Sequence, residues 1–153
     1  MGIGGRIGGS LGESARVTTP LVGLCYDIET RMSQAKRVLV ADDSEAVRTV
    51  LVTALTQAGY EVAVAINGND AYEMGQTGSI DLALLDHLMP GLLGIEIIAR
   101  WQAEGYQIPV IILSGVDDER TIVDSLDVGA VDFVRKPFRL PELMARIRQR
   151  LPD

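Results

Sequence analysis

Cysteine, basic residues and long apolar runs are all scarce in this chain of 153 residues. A single cysteine, Cys25, cannot form an internal disulfide, so the fold needs no oxidising compartment. No apolar run approaches the roughly 20 residues that cross a membrane. Lysine and arginine number 14 against 21 acidic residues, a net charge of −7 that disfavours direct binding of nucleic acid. Neither a membrane segment nor a nucleic-acid surface is therefore expected.

The apolar fraction of 47% is enough for one domain with a packed core. Residues 1–35 differ from the rest and are predicted to form a flexible, glycine-rich N-terminal extension, with the domain at 36–153. Met32 resembles a natural start, so the residues before it are either native chain or sequence added upstream. The extension has no apolar segment after a basic start, so it is not a secretory signal. Its glycines are Gly2, Gly4, Gly5, Gly8, Gly9 and Gly12.

Several short apolar runs lead directly into polar residues, as buried parallel strands do at their carboxyl ends. The central run, 82–85, ends in Asp86 and is followed by a turn at Pro90. The other three runs are 37–41 before Asp42 and Asp43, 110–113 before Ser114, and 132–135 before Lys136.

Helical patterns separate these runs, and Glu61–Ala65 supplies a fifth strand. Apolar spacing predicts one face for the first helix that includes Val50 and Leu51, and one for the fourth that includes Leu126. The helix and turn signals are Ser44, Gly59, Asn67-Gly68, Asp118, Gly129 and Pro141. The alternation of five strands with five helices predicts an α/β fold, a doubly wound parallel sheet with helices on both faces.

Parallel strands would bring these polar ends together at one edge of the sheet, where open α/β sheets bind ligands. Each signal alone is ordinary, since adjacent acids after a strand are usually a solvated loop and a lysine before proline is usually on the surface. An acid pair, a single acid, a hydroxyl and a lysine in that order after different strands form a far more specific pattern.

Four segments resemble the receiver domain of two-component response regulators, of the chemotaxis-regulator (CheY-like) type. The resemblance covers about residues 36–150 and implies a flavodoxin-like (βα)5 fold with strand order 2-1-3-4-5. The segments are 38–43 (VLVADD), 84–91 (LLDHLMPG), 111–115 (IILSG) and 129–138 (GAVDFVRKPF).

The resemblance implies that Asp86 accepts a phosphoryl group from the phosphohistidine of a sensor histidine kinase or a phosphotransfer protein. Lys136 would pair with the phosphoryl group, and Ser114 would offer its hydroxyl. Movement of Ser114 would vacate space beneath Phe133, the switch aromatic, although a plain core aromatic remains the alternative for Phe133. Such a protein is a cytoplasmic signalling switch and catalyses only its own phosphorylation and dephosphorylation.

A Mg²⁺ cofactor is implied as well. By resemblance Asp43 and Asp86 bind the metal directly, Asp42 acts through water, and the backbone carbonyl of Leu88 is a further ligand. Electrostatics supports a cation, since two carboxylates about 4 Å apart repel by roughly 4 kcal/mol at an effective dielectric constant of 20. Hard divalent cations with oxygen ligands relieve such repulsion.

Some positions depart from the family pattern. Leu93 stands where many relatives carry an acid after the proline-glycine turn, which puts the capping of this loop in doubt but not the chemistry. Leu88 and Val116 are apolar at positions that influence water near the phosphoaspartate, so slow self-dephosphorylation is expected. Strand alternation points His87 away from Asp86, and it receives no catalytic role.

The fourth helix, fifth strand and fifth helix form the usual output face of the family. Here the fourth helix is acidic and the fifth is basic, which is either a solvated charged surface or an isologous dimer formed on phosphorylation. The output partner is unknown. The acids are Asp117, Asp118, Glu119, Asp124 and Asp127, and the arginines are Arg146, Arg148 and Arg150.

Two other functions remain open beside the switch. An aspartyl-phosphate hydrolase would carry a second acid two residues after the nucleophile, where this chain has Leu88. A pseudo-receiver scaffold would lack Asp43, Asp86 or Lys136, and all of these are present.

Overall fold

A computed structural model describes residues 35–116 and 118–151 of the chain. The predicted N-terminal extension lies outside the described residues except for Ala35, and so does Asp117. Strands and helices alternate throughout the described part. They are β1 Arg37–Ala41, α1 Glu45–Gln57, β2 Glu61–Ala65, α2 Gly68–Gly75, β3 Leu82–Asp86, α3 Gly94–Ala103, β4 Val110–Ser114, α4 Glu119–Val128, β5 Asp132–Arg135 and α5 Leu140–Arg150.

The strands form one parallel sheet in the order β2-β1-β3-β4-β5. The predicted flavodoxin-like order 2-1-3-4-5 is therefore confirmed. Strand β3 is central, and every one of its residues is buried, which explains why its sequence is a continuous apolar run and does not alternate.

Strand alternation divides the core into two layers. Leu85 and Ile112 face the layer covered by α2 and α3, where Trp101 of α3 is buried. Leu84 and Leu113 face the opposite layer, covered by α1 and α5. The alternation along each strand therefore fixes the side of the sheet on which the side chain that follows the strand lies.

Two apolar positions face differently from the prediction. Val50 of α1 is 46% exposed and Leu126 of α4 is 44% exposed, whereas Leu51 is completely buried. The apolar stripe predicted from helical spacing was wider than the part of each helix that the sheet covers. The predicted break at Asn67-Gly68 lies at the start of α2, where the Asn67 side chain caps the helix by accepting a hydrogen bond from the Asp70 N–H.

Within the described residues, no helix is both long enough and apolar enough to cross a membrane.

Candidate functional site

Three carboxylates meet at the carboxyl edge of the sheet. Asp86 ends β3, and Asp42 and Asp43 follow β1, its neighbour in the sheet. Asp42 is completely buried, Asp86 is 7% exposed and Asp43 is exposed. Oxygen atoms of the three groups all lie within 4.8 Å of one another. The convergence predicted from the sequence is present.

The side chain of Lys136, the residue that follows β5, reaches this carboxylate cluster. Its Nζ lies 2.6 Å from Oδ2 of Asp42 and 3.3 Å from Oδ2 of Asp86. The reach follows from strand alternation, which places Asp42, Asp86 and Lys136 on the side of the sheet covered by α1 and α5. One ammonium group therefore compensates two carboxylates.

The backbone near the cluster is held by charge-assisted hydrogen bonds. The Ser44 N–H donates to Oδ1 of Asp42 over 2.8 Å, and Arg48 donates from Nη1 to the Asp42 carbonyl, also over 2.8 Å. Against the effect of burial, the Leu88 backbone lowers the pKa of the Asp86 carboxyl slightly. Sequence reasoning missed Arg48, whose only signal was its place in the first turns of α1.

Electrostatics in the site opposes ionisation of the predicted phosphoacceptor. Burial, followed by the charge of Asp42, raises the pKa of Asp86 to about 6, against the opposing effect of Lys136. Burial alone would lower the pKa of Lys136. Its hydrogen bond to Asp42 and the charge of Asp86 outweigh that effect, so the pKa of Lys136 lies above its ordinary value. Lys136 is therefore a permanent cation in the site.

The donor set fits a hard divalent cation. The cluster offers carboxylate oxygens from Asp42, Asp43 and Asp86, with no sulfur or imidazole ligand among the three. Exposure of Asp43 leaves one side of the cluster open to solvent, so an ion could keep part of its water, as Mg²⁺ prefers. The backbone carbonyl of Leu88 remains a predicted further ligand.

Ser114 ends β4 beside Asp86, since the ladder pairs Asp86 with Leu113. Its Oγ accepts a hydrogen bond from the Val116 N–H over 2.9 Å, and the residue is 1% exposed. Phe133 pairs with Ile112 on the same face of the sheet and is partly buried against the core there. The switch roles of Ser114 and Phe133 remain predictions.

The loop after β3 packs tightly against α2. The Gly68 N–H donates to the Pro90 carbonyl over 2.9 Å, and a Cβ on Gly68 would lie 2.0 Å from the Leu92 carbonyl oxygen. Leu93 begins α3 without a side-chain cap, but its N–H donates to Glu96 over 2.8 Å. Glu96 thus supplies one half of a capping box, the bond to the N-cap N–H, while Leu93 has no side-chain oxygen for the other half.

Comparison with known proteins identifies the domain type. A family model described as "Response regulator receiver domain" matches residues 38–148. The chain is 40% identical over 114 residues to an uncharacterized transcriptional regulatory protein, YkoG, of Bacillus subtilis (strain 168), covering 74% of this chain and 50% of that protein. The chain thus spans about half the length of the curated relatives it matches.

Solved structures agree with this match. The Francisella response regulator 1452 receiver domain superposes with a TM-score of 0.72 at 31% identity, over 75% of this chain and 95% of that one. A chain of the CheX–CheY–BeF3–Mg complex from Borrelia burgdorferi gives a TM-score of 0.70 at 26% identity, over 74% of this chain and 87% of that one.

Proposed function

The chain belongs to the response regulator receiver domain family, and on that premise we propose that Asp86 accepts a phosphoryl group from the phosphohistidine of a sensor histidine kinase or phosphotransfer protein. Receiver domains are the signalling switches of two-component systems, so phosphorylation-dependent signalling follows from membership. The acceptor residue, its cofactor and its partners are our proposal, as is a cytoplasmic location beside the kinase.

One observation carries the assignment. The Lys136 ammonium contacts both Asp42 and Asp86, 2.6 Å and 3.3 Å away, at the edge where parallel α/β sheets bind ligands. A lysine with a purely structural role needs only one buried carboxylate as its partner. Lys136 contacts two carboxylates, so it can keep its contact with Asp42 when Asp86 is phosphorylated. Asp86 is also the acid at the end of the central strand, open to solvent over 7% of its surface.

The transfer is an in-line displacement. An oxygen of the Asp86 carboxylate forms a new bond to phosphorus while the bond between phosphorus and the donor's imidazole nitrogen breaks, and the imidazole leaves with that electron pair. A Mg²⁺ ion held directly by Asp43 and Asp86, with Asp42 acting through water, would supply positive charge to the phosphoryl oxygens. Lys136 contributes a second positive charge, and its contact with Asp42 keeps the ammonium in place throughout.

The phosphoryl group carries a charge of about −1.5 to −2 near neutral pH, in place of the single negative charge of the free carboxylate, and it changes the partners available to Ser114. We propose that its hydroxyl leaves the Val116 N–H for the phosphoryl group and that Phe133 then repacks. The face formed by α4, β5 and α5 would carry this change to an output partner or to a second copy of the chain. On that face Arg146 lies 2.8 Å from Asp132 and 2.9 Å from Glu142, pairs that a partner could exchange.

Incubation with acetyl phosphate and Mg²⁺, followed by intact mass measurement, tests the proposal. We expect wild type and the control Asp127→Asn, which changes an exposed acid on α4, to gain one phosphoryl group, and Asp86→Asn to gain none. An unmodified wild-type protein would favour the scaffold function instead. Equal phosphorylation of Asp86→Asn would contradict the choice of acceptor.

A further inference from the structure

His87 is the one histidine of the chain, and it is buried to all but 9% of its surface. Its Nδ1 is shielded from solvent and has no hydrogen-bond partner among the residues that the structure describes. A buried polar atom without a partner is unfavourable, because the hydrogen bond that it made with water is lost and not replaced. The atom therefore points to a partner that is absent from this conformation.

The ladder places His87 directly beside Ser114. Asp86 pairs with Leu113, and the next residue continues the ladder, since the His87 N–H donates to the Leu113 carbonyl over 2.9 Å. Leu85 and Ile112 face the layer of α2 and α3, so alternation turns the His87 and Ser114 side chains to that same side.

The connection between β4 and α4 follows Ser114 directly. Val116 belongs to the connection between these two elements.

The Val116 N–H has a partner only while Ser114 stays in its present position. It donates to Ser114 Oγ over 2.9 Å, and the proposed switch takes this hydroxyl away to the phosphoryl group. That movement would leave the amide without an acceptor in a half-buried place. The unphosphorylated form therefore has an unused acceptor in His87, and the phosphorylated form has an unused donor in Val116.

We propose that Nδ1 of His87 accepts the Val116 N–H after phosphorylation, which makes His87 a positioning residue for the switched state. The inference rests on the proposed function, because Ser114 must move. A hydrogen bond that forms only in the switched state shifts the conformational equilibrium toward that state. The same hydrogen bond tightens the binding of any phosphoryl group or analogue that selects the switched state.

Nuclear magnetic resonance of the wild-type protein tests the hydrogen bond directly, with beryllofluoride and Mg²⁺ as the probe of the phosphorylated state. We expect a scalar coupling across the hydrogen bond between His87 Nδ1 and the Val116 amide nitrogen in the complex, and none in the free protein. A saturated complex without this coupling would overturn the inference alone. Wild type that binds no beryllofluoride, followed by fluorine resonance, would overturn the proposed function together with it.

Two substitutions test the consequence for affinity. We expect His87→Leu to weaken beryllofluoride binding about threefold to tenfold, the range of one net hydrogen bond. His87→Asn, which places an amide oxygen near the position of Nδ1, should restore most of the affinity. Unchanged affinity in His87→Leu, or an equal loss in both variants, would show that the acceptor atom has no such role and would overturn the inference.

Discussion

Nζ of Lys136 lies 2.6 Å from Oδ2 of Asp42, and the Asp42 side chain is completely shielded from solvent. The same nitrogen is 3.3 Å from Asp86, so the lysine sits nearer to the acid that is not the proposed acceptor. A buried carboxylate needs such a partner, since an uncompensated charge in the interior is strongly unfavourable. Lys136 therefore stabilises the fold as well as serving the proposed chemistry.

We predict that Lys136→Met lowers the free energy of unfolding by about 2–4 kcal/mol in metal-free buffer, because it leaves Asp42 buried and unpaired. Mg²⁺ should restore part of this loss by supplying a cation to the same carboxylates. Urea denaturation with and without Mg²⁺ provides the measurement. Lys36→Met, at an exposed position, is the matched control and should change stability by less than about 0.5 kcal/mol.

The raised pKa of Asp86 gives a prediction about pH. The carboxyl titrates at about 6 in the folded state and near 3.8 ordinarily, so the folded protein binds this proton more tightly than the unfolded chain does. Its contribution to stability is therefore complete below about pH 4 and declines as pH rises through 6. Asp86→Asn removes the unfavourable ionisation and should stabilise the metal-free protein at pH 7.

The expected gain is about 1–2 kcal/mol at pH 7, less than the full shift implies because solvent screens part of the charge and Lys136 loses a partner. This gain in stability should vanish at pH 4, where Asp86 is protonated in the folded wild-type protein. Thermal unfolding in the presence of a chelator gives the comparison, with Asp127→Asn as the control. A gain of equal size at both pH values would mean that ionisation of Asp86 is not the cause.

Element bounds were largely readable from the sequence because the local signals are strong. Strands β2 and β5 have the predicted residues, and Ser44 and Asp118 cap the helices that they were expected to cap. Short apolar runs between turn residues allow few alternatives, and a side-chain oxygen before a helix satisfies its free N–H groups. The strand order, in contrast, came from family resemblance and not from periodicity.

Tertiary contacts were not readable in the same way. Periodicity gave Val50 an inward position, but only the packed structure shows how wide a strip of α1 the sheet covers. Convergence of Asp42, Asp86 and Lys136 followed from strand ends, whereas the closer contact of Lys136 with Asp42 depends on ångström-scale geometry. The absence of a partner for Nδ1 of His87 could not be predicted either, since no sequence pattern marks a missing hydrogen bond.

The residue two positions after Asp86 gives a prediction about the lifetime of the phosphoryl group. Leu88 is 53% exposed and apolar, so it cannot orient a water molecule, and its replacement removes little packing. We expect slow loss of phosphate from the wild-type protein with Mg²⁺ and a severalfold faster loss from Leu88→Asn. Leu126→Asn, also at an exposed leucine, should leave the rate unchanged. Rapid loss in wild type, unaltered by Leu88→Asn, would contradict this expectation.

The contact between α2 and α3 gives a prediction about packing. A Cβ on Gly75 would lie 2.2 Å from the Trp101 ring, which is buried and donates its Nε1–H to the Tyr72 carbonyl over 3.0 Å. Gly75→Ala should therefore lower the free energy of unfolding by about 1–3 kcal/mol, although alanine favours helices. Trp101 is the single tryptophan, so its fluorescence reports the shift directly. The double variant with Trp101→Leu should recover part of the alanine's cost.

The charged output face leads to a prediction about association. Arg146 pairs within the chain with Asp132 and Glu142, and α4 carries the exposed acids Asp124 and Asp127. A two-fold dimer would let arginines of one copy meet acids of the other, and the switched form is the one expected to expose them. We expect the beryllofluoride complex to dimerise at tens of micromolar while the free protein stays monomeric, measured by sedimentation equilibrium. High salt and Arg146→Glu should each weaken the dimer. Arg120→Glu is the control and should weaken the dimer less, because the partner of Arg120, Asp124, lies on the same helix. A complex that remains monomeric at these concentrations leaves the solvated charged surface as the interpretation.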